Sequence, residues 1–262
     1  MPKSPSAFYQ PATLPEALQL LAKPDVLPLA GGTKLLAGDV QGAVVDLQKL
    51  GLTAVTRNTH TLTIGATLPL AELTKALPDD DTSPTALLRQ AITLAGPNTY
   101  RNAATLGGTI ASRLPDSELL AALLVLDAVL TLHTPDLAQM SLAEYLAAEE
   151  RPSGLITAVT LAWETGLGRS ERVARTPRDY PIVSVTFWQL QNGAVRLAGT
   201  GMQERPCRLT TAEAKLVDGL TPEAIAQAGQ AAQSAATHPG DFRGDAAYRA
   251  EMTAVLIQRV CK

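Results

Sequence analysis

Ala104-Thr105-Leu106-Gly107-Gly108-Thr109-Ile110-Ala111, with Arg101-Asn102 just before it, is the stretch on which the reading of this chain turns. Two adjacent glycines stand between hydroxyl-bearing residues, with an apolar helical pattern before them and another after. Such a loop exposes backbone N–H groups that a charged group can approach without hindrance. Its partner lies earlier, at Leu29-Ala30-Gly31-Gly32-Thr33-Lys34-Leu35-Leu36. A lone Gly-Gly reads first as a tight turn. Two Gly-Gly-Thr loops with apolar flanks read as two walls of one phosphate-binding crevice.

Around the first loop, Thr13-Leu14-Pro15-Glu16 forms a capping box that predicts a short helix within Phe8 to Ala22. Val26 to Ala30 reads as a buried strand, Thr33 to Ala37 as the start of a helix, and Ala43 to Leu47 as a second strand, together a small βαβ-like unit. From Thr53 the pattern alternates, and Asn58-Thr59 separates the arms of a hairpin, Thr53–Arg57 and Thr61–Gly65. Helices follow over Pro69 to Leu77 and Thr85 to Ala95, broken by Gly96-Pro97-Asn98. Arg101-Asn102 is read as a brace for the loop through backbone carbonyls.

Past the second loop, Ser117 to Leu126 is an apolar helix buried on most faces, followed by a strand at Ala128 to Leu132, a helix from Ser141 and a strand at Leu155 to Leu161. Thr165 to Asp179 is rich in Gly, Arg and Glu and poor in large apolar residues, which predicts a connection between domains. Asn192-Gly193 then joins two strands, Ile182–Gln191 and Ala194–Thr200. Helical patterns at Pro222 to Ala236 and Asp245 to Val260 close the chain. Tyr180 and Trp188 read as packing residues of this last sheet.

With 262 residues, 46% of them hydrophobic, the chain has room for one large domain or two to three small ones. A net charge of −3 supplies no basic field, which argues against nucleic acid as a partner. No apolar run approaches the ~18–20 residues of a membrane span and no signal segment is evident, so a cytoplasmic protein is expected. Cys207 and Cys261 are solitary, and His60, His133 and His238 share no ligand spacing, so no metal site is predicted. The G-x-G-x-x-G, P-loop, G-x-S-x-G and H-E-x-x-H patterns are absent. A redox centre in such a chain is organic.

The run Ala30 to Leu36, then Val45-Asp46-Leu47, then Arg101 to Gly108 with Pro115 and an acidic residue at 118, resembles the FAD-binding medium subunit of the molybdenum hydroxylases, the group of xanthine dehydrogenase and aerobic carbon monoxide dehydrogenase. The resemblance runs the length of the chain, from the opening helix to a closing helix with Tyr248-Arg249. It implies an α+β fold: a two-part FAD-binding (PCMH/VAO-like) domain, residues 1–50 and 51–165, followed by a C-terminal sheet-and-helix domain, residues 166–262. It implies non-covalent FAD held by Ala30, Gly31, Gly32, Thr33, Lys34 and Leu35, by Thr105, Gly107, Gly108 and Thr109, and by Glu118, with no catalytic side chain. It further implies an oxidoreductase subunit that receives electrons from an iron–sulfur small subunit, fed by a molybdenum-cofactor large subunit, and passes them to NAD or another acceptor. The family usually has a short polar residue where Lys34 stands, Asn or Ser at Thr109 and Asp at Glu118. Those differences keep a second reading open, a non-catalytic scaffold subunit that retains the fold without tight FAD binding.

Overall fold

The computed structural model describes residues 4–78, 80, 84–134, 136–177 and 179–262. Residues 1–3 of the first expected segment and Arg178 of the expected connection lie outside the described residues.

The first body is a three-stranded parallel sheet ordered β1-β3-β2, with β1 at Phe8–Tyr9, β2 at Val26–Leu29 and β3 at Ala43–Asp46. Helix α1, Leu14–Leu21, crosses between β1 and β2, its N-terminus capped by Thr13 Oγ1, which accepts from Glu16 N–H at 3.4 Å. Phe8–Tyr9 belongs to a strand and not to the helical segment, because Pro11 bars helix before the cap and the aromatic pair suits a pleated edge. Pro28 is tolerated inside β2 because β2 is an edge strand and its missing N–H costs no ladder bond. Beyond β2 the chain makes the first glycine loop and a single 3-10 turn, Leu35–Ala37, where a longer helix is predicted.

The second body is an antiparallel five-stranded sheet ordered β4-β5-β8-β6-β7: Val55–Arg57, Thr61–Gly65, Leu155–Ala162, Val129–His133 and Leu137–Ser141 for β4, β5, β8, β6 and β7. The predicted hairpin is present, with Val55 opposite Ile64. Helices α2 (Leu70–Ala76), α3 (Pro84–Leu94), α4 (Asn98–Ala103), α5 (Leu106–Ser112), α6 (Glu118–Val125) and α7 (Leu142–Ala147) complete it. Every residue of α6 is buried, so this helix is central to the core and owes little to amphipathic patterning.

The third body is an antiparallel sheet ordered β12-β11-β10-β9, with β9 at Gly166–Val173, β10 at Val183–Leu190, β11 at Val195–Thr200 and β12 at Cys207–Arg208. It carries α8 (Thr210–Glu213), α9 (Pro222–Ser234) and α10 (Ala246–Val260). Most of the predicted connection, Thr165 to Asp179, is therefore strand: β9 pairs with β10 from Gly166 opposite Leu190 to Val173 opposite Val183. It lacks large apolar residues because Gly166 and Gly168 lie under the indole of Trp188, where a β-carbon would come within 2.8 and 2.9 Å of ring atoms. Trp188 itself is buried in the core shared with the second body. Among the described residues no helix is long and apolar enough to cross a membrane.

Candidate functional site

The second glycine stretch is not a free loop. Thr105 is the N-cap of α5, and Gly107 and Gly108 lie in the first turn of that helix. Gly108 N–H donates to Thr105 Oγ1 at 3.1 Å and Gly107 N–H donates to Ala66 O at 2.8 Å. Leu106 N–H is taken by Leu68 O at 3.2 Å, and Leu70 N–H returns a bond to Ala104 O at 2.8 Å. The motif is thus strapped along residues 66–70, and the N–H groups of Leu106, Gly107 and Gly108, predicted to stay open for an anion, are occupied. A β-carbon at Gly107 would lie 2.7 Å from Ala66 Cβ, so this glycine permits the strapping.

The first stretch behaves differently. Among the described residues, none of the backbone N–H groups from Ala30 to Leu35 donates to a protein acceptor. Gly32 takes a left-handed conformation, φ 69°, that turns the chain out of β2. Gly31 is pressed against the second motif: a β-carbon there would overlap the Ala103 carbonyl oxygen and lie 2.7 Å from its carbon. The two stretches meet backbone to backbone, and the continuous run of open donors lies on the first of them.

A cleft of about 380 Å3 runs between them. Ten of the eleven predicted site residues line it, Ala30 through Leu35 together with Thr105, Gly107, Gly108 and Thr109. Apolar walls come from Leu29, Leu47, Leu155 and Ile156, and Tyr100, Tyr145 and Arg151 also face it. The Thr109 hydroxyl donates to Thr105 O at 2.9 Å and so offers the cleft only its lone pairs. Arg101 braces the end of α3, donating from Nη1 to Thr93 O at 3.1 Å.

Glu118, the eleventh, is outside this cleft. It lines a small adjoining cavity with Tyr100, Thr109, Leu114, Asp116, Ser117 and Tyr180. Ser117 caps α6, and the Glu118 carboxylate accepts from Arg172 Nη1 at 2.9 Å. The other guanidinium nitrogen of Arg172 donates to Asp179 O, beside Tyr180. Burial pushes the Glu118 carboxyl up to about 7; Arg172 opposes that shift and Asp116 adds to it. Burial also raises the Tyr100 phenol, against the nearby hydroxyls of Thr33 and Thr109. Lys34 Nζ lies 5.6 Å from the Tyr100 ring centre and 5.8 Å from that of Tyr180.

Tyr180 is therefore a half-exposed wall of the site and not a packing residue of the last sheet. Tyr100 and Arg172 carry no expected role either. An aromatic directly before Arg101-Asn102 was a visible signal for the first. Arg172 had none, since only the pairing of β9 with β10 brings it to a residue 54 positions earlier.

Residues 4–163 match the family described as the FAD binding domain in molybdopterin dehydrogenase, and residues 171–262 match the CO dehydrogenase flavoprotein C-terminal domain. The protein YgfM of Escherichia coli K12 is 28% identical over 257 residues, 95% of this chain and 93% of that one. Aldehyde oxidase 1 of Bos taurus is 30% identical over 177 residues, 60% of this chain and 13% of that protein. In fold, the chain superimposes on a chain of reconstituted CO dehydrogenase from Oligotropha carboxidovorans with a TM-score of 0.90 at 23% identity, over 99% of this chain and 97% of the other.

Proposed function

Because the chain belongs to the family of FAD-binding domains of molybdopterin dehydrogenases, we propose that it is the FAD-carrying electron-transfer subunit of a molybdenum hydroxylase-type oxidoreductase. The observation that carries this reading is the run of unpaired N–H groups from Ala30 to Leu35 along a cleft whose far wall is the second glycine motif. Such a run neutralises phosphate oxygens with dipoles, alongside the basic side chains of Lys34 and Arg151 that also line the cleft. The residues present fit the cofactor. Ala30 to Leu35 would hold its pyrophosphate by backbone donors, Thr33 by its hydroxyl, and Gly107 and Gly108 would leave the opposite wall free of side chains. Leu29, Leu47, Leu155 and Ile156 exclude water from the apolar end. FAD, when bound, supplies the electron-carrying chemistry, while the chain binds, orients and tunes it.

Electrons would arrive from an iron–sulfur small subunit paired with a molybdenum-cofactor large subunit, and would leave to NAD or another acceptor. Two separate cysteines, Cys207 and Cys261, make no cluster within this chain. The match to only 13% of a whole aldehyde oxidase fits a chain that needs partners for the rest of the reaction. The test is binding: the purified chain mixed with FAD and passed through gel filtration is expected to retain flavin absorbance at about one per chain. A colourless protein that leaves flavin fluorescence unquenched would overturn the proposal. It would favour the scaffold reading, which the seating of Lys34 between Tyr100 and Tyr180, at the mouth of the site, also fits.

Gly108→Ala separates cofactor space from folding. Only Thr105 Oγ1, at 2.9 Å, lies near a β-carbon at Gly108, and alanine is the better helix former by ~1 kcal/mol, so stability should change by less than about 1 kcal/mol. The new methyl enters the cleft, and FAD affinity should fall roughly tenfold, a loss of ~1.4 kcal/mol. Thermal unfolding and fluorescence titration of the same sample check both halves.

A further inference from the structure

Glu118 is built for more than contact. Its side chain is 3% exposed; Oε2 is bonded to Arg172, while Oε1 is buried with no hydrogen-bond partner among the described residues. The cavity it lines has about 10 Å3 of room, the space of about one water. Tyr100, Thr109 and Leu114 are walls of this cavity and of the large cleft alike. Whatever fills the cleft therefore lies against the wall of the Glu118 cavity and cuts its exchange with solvent.

We propose, resting on the flavoprotein reading above, that Glu118 is the proton-holding acid of the site: filling the cleft seals the cavity, fixes Glu118 as the neutral acid and couples cofactor loading to the uptake of one proton at Oε1. An ionised carboxylate would leave negative charge on the buried, unpartnered Oε1, whereas the neutral acid leaves only an uncharged polar group there, which costs far less to bury. Burial is the largest influence and favours the neutral form, and the charged groups facing it act in opposite directions. Arg172, from β9, favours the charged form. Asp116, itself held by Arg243 at 2.9 Å, favours the neutral one. Tyr100 from α4, Tyr180 from the segment after β9, and the hydroxyls of Ser117 and Thr109 are neutral donors or acceptors at the rim. In the open cleft the carboxyl titrates at about 7, so a modest loss of solvent decides its state. The sign follows. Below that pH the proton is already present and loading is pH-independent; above it a proton must be taken up, and affinity falls as pH rises.

The experiment is FAD titration by fluorescence quenching from about pH 5.5 to 9, where linkage of one proton gives a slope of about tenfold in affinity per pH unit above the break. Calorimetry in two buffers of different ionisation heat should show uptake approaching one proton on the alkaline side. Glu118→Gln, a permanently neutral isostere, should bind with an affinity that does not change with pH. Arg172→Gln keeps the carboxyl and removes its cation, so its break should move to higher pH. It carries the test if Glu118→Gln does not fold. A flat wild-type profile, a slope that survives in Glu118→Gln, or a break unmoved in Arg172→Gln overturns the proton-linked role while leaving the flavoprotein reading intact. Failure to bind FAD at every pH overturns both.

Discussion

Gly31→Ala is expected to cost about 2–3 kcal/mol of stability, the upper range for forcing a carbon into a packed contact, and to abolish measurable FAD binding. The β-carbon has no room because the neighbour is backbone: the Ala103 carbonyl, with Ala104 Cα 3.2 Å away. Backbone cannot rotate aside as a side chain does. Relief requires moving either the first loop or the segment that leads into Thr105, and that segment is bonded to Leu68 and Leu70. Either shift displaces the open N–H groups from the cleft wall. Gly38→Ala is the control, since nothing lies within 4 Å of a β-carbon there, and it should be near-neutral. Thermal midpoints and flavin titrations of the two variants decide the matter. A Gly31→Ala protein as stable as Gly38→Ala would mean that the loops do not meet as described.

The same contact shows what could and could not be read from residues alone. The pairing of two Gly-Gly-Thr stretches is legible, because adjacent glycines between apolar flanks have few uses. Their division of labour is not. Gly31 and Gly107 are glycine so that backbones can approach, while the continuous run of open donors belongs to the first stretch. That depends on which carbonyls residues 66 and 68 present, a matter of tertiary placement. Helix α6 is legible from its unbroken apolar run. Strand β9 is not, since its interior is made of glycine under a tryptophan 20 or more positions away, and a strand packed that way has the composition of a linker. Glu118 is legible as an acid after the motif, but its burial and its pairing with Arg172 require the third body to be in place.

Arg249→Met should be more damaging than any surface change and should act on the third body as a unit, by about 3–5 kcal/mol, because three main-chain carbonyls each lose their donor at ~1–3 kcal/mol. The Arg249 side chain is 1% exposed. Its guanidinium donates to Gly244 O at 3.1 Å, Gly201 O at 2.8 Å and Ile182 O, and to Asp241 Oδ1 at 2.6 Å. One side chain thus joins α10 to the start of β10, to the turn after β11 and to the hairpin at Asp241–Asp245. Gly201, φ 72°, has no β-carbon to block the approach, since one would sit 3.0 Å from Arg249 Nη1. Burial pushes the Asp241 carboxyl up, but the Arg243 N–H and the guanidiniums of Arg249 and Arg243 outweigh it and hold it well below the usual carboxylate range. The stability this contributes is present above the ordinary aspartate pKa of about 3.9 and is lost as pH falls further. Methionine fills the space yet leaves three carbonyls without a donor. Lysine, with a point charge in place of a planar fork, cannot reach all four acceptors, so Arg249→Lys should recover little. Denaturant unfolding of both variants at neutral pH is the measurement. Because β9 carries Arg172 and the segment after it carries Tyr180, a wall of the Glu118 cavity, loss of this body should open that cavity and remove the burial that raises the carboxyl, so the pH break in FAD binding should vanish together with the fold of residues 166–262. A variant that lost the break while unfolding as wild type does would place the arginine in the site's chemistry and not in its support.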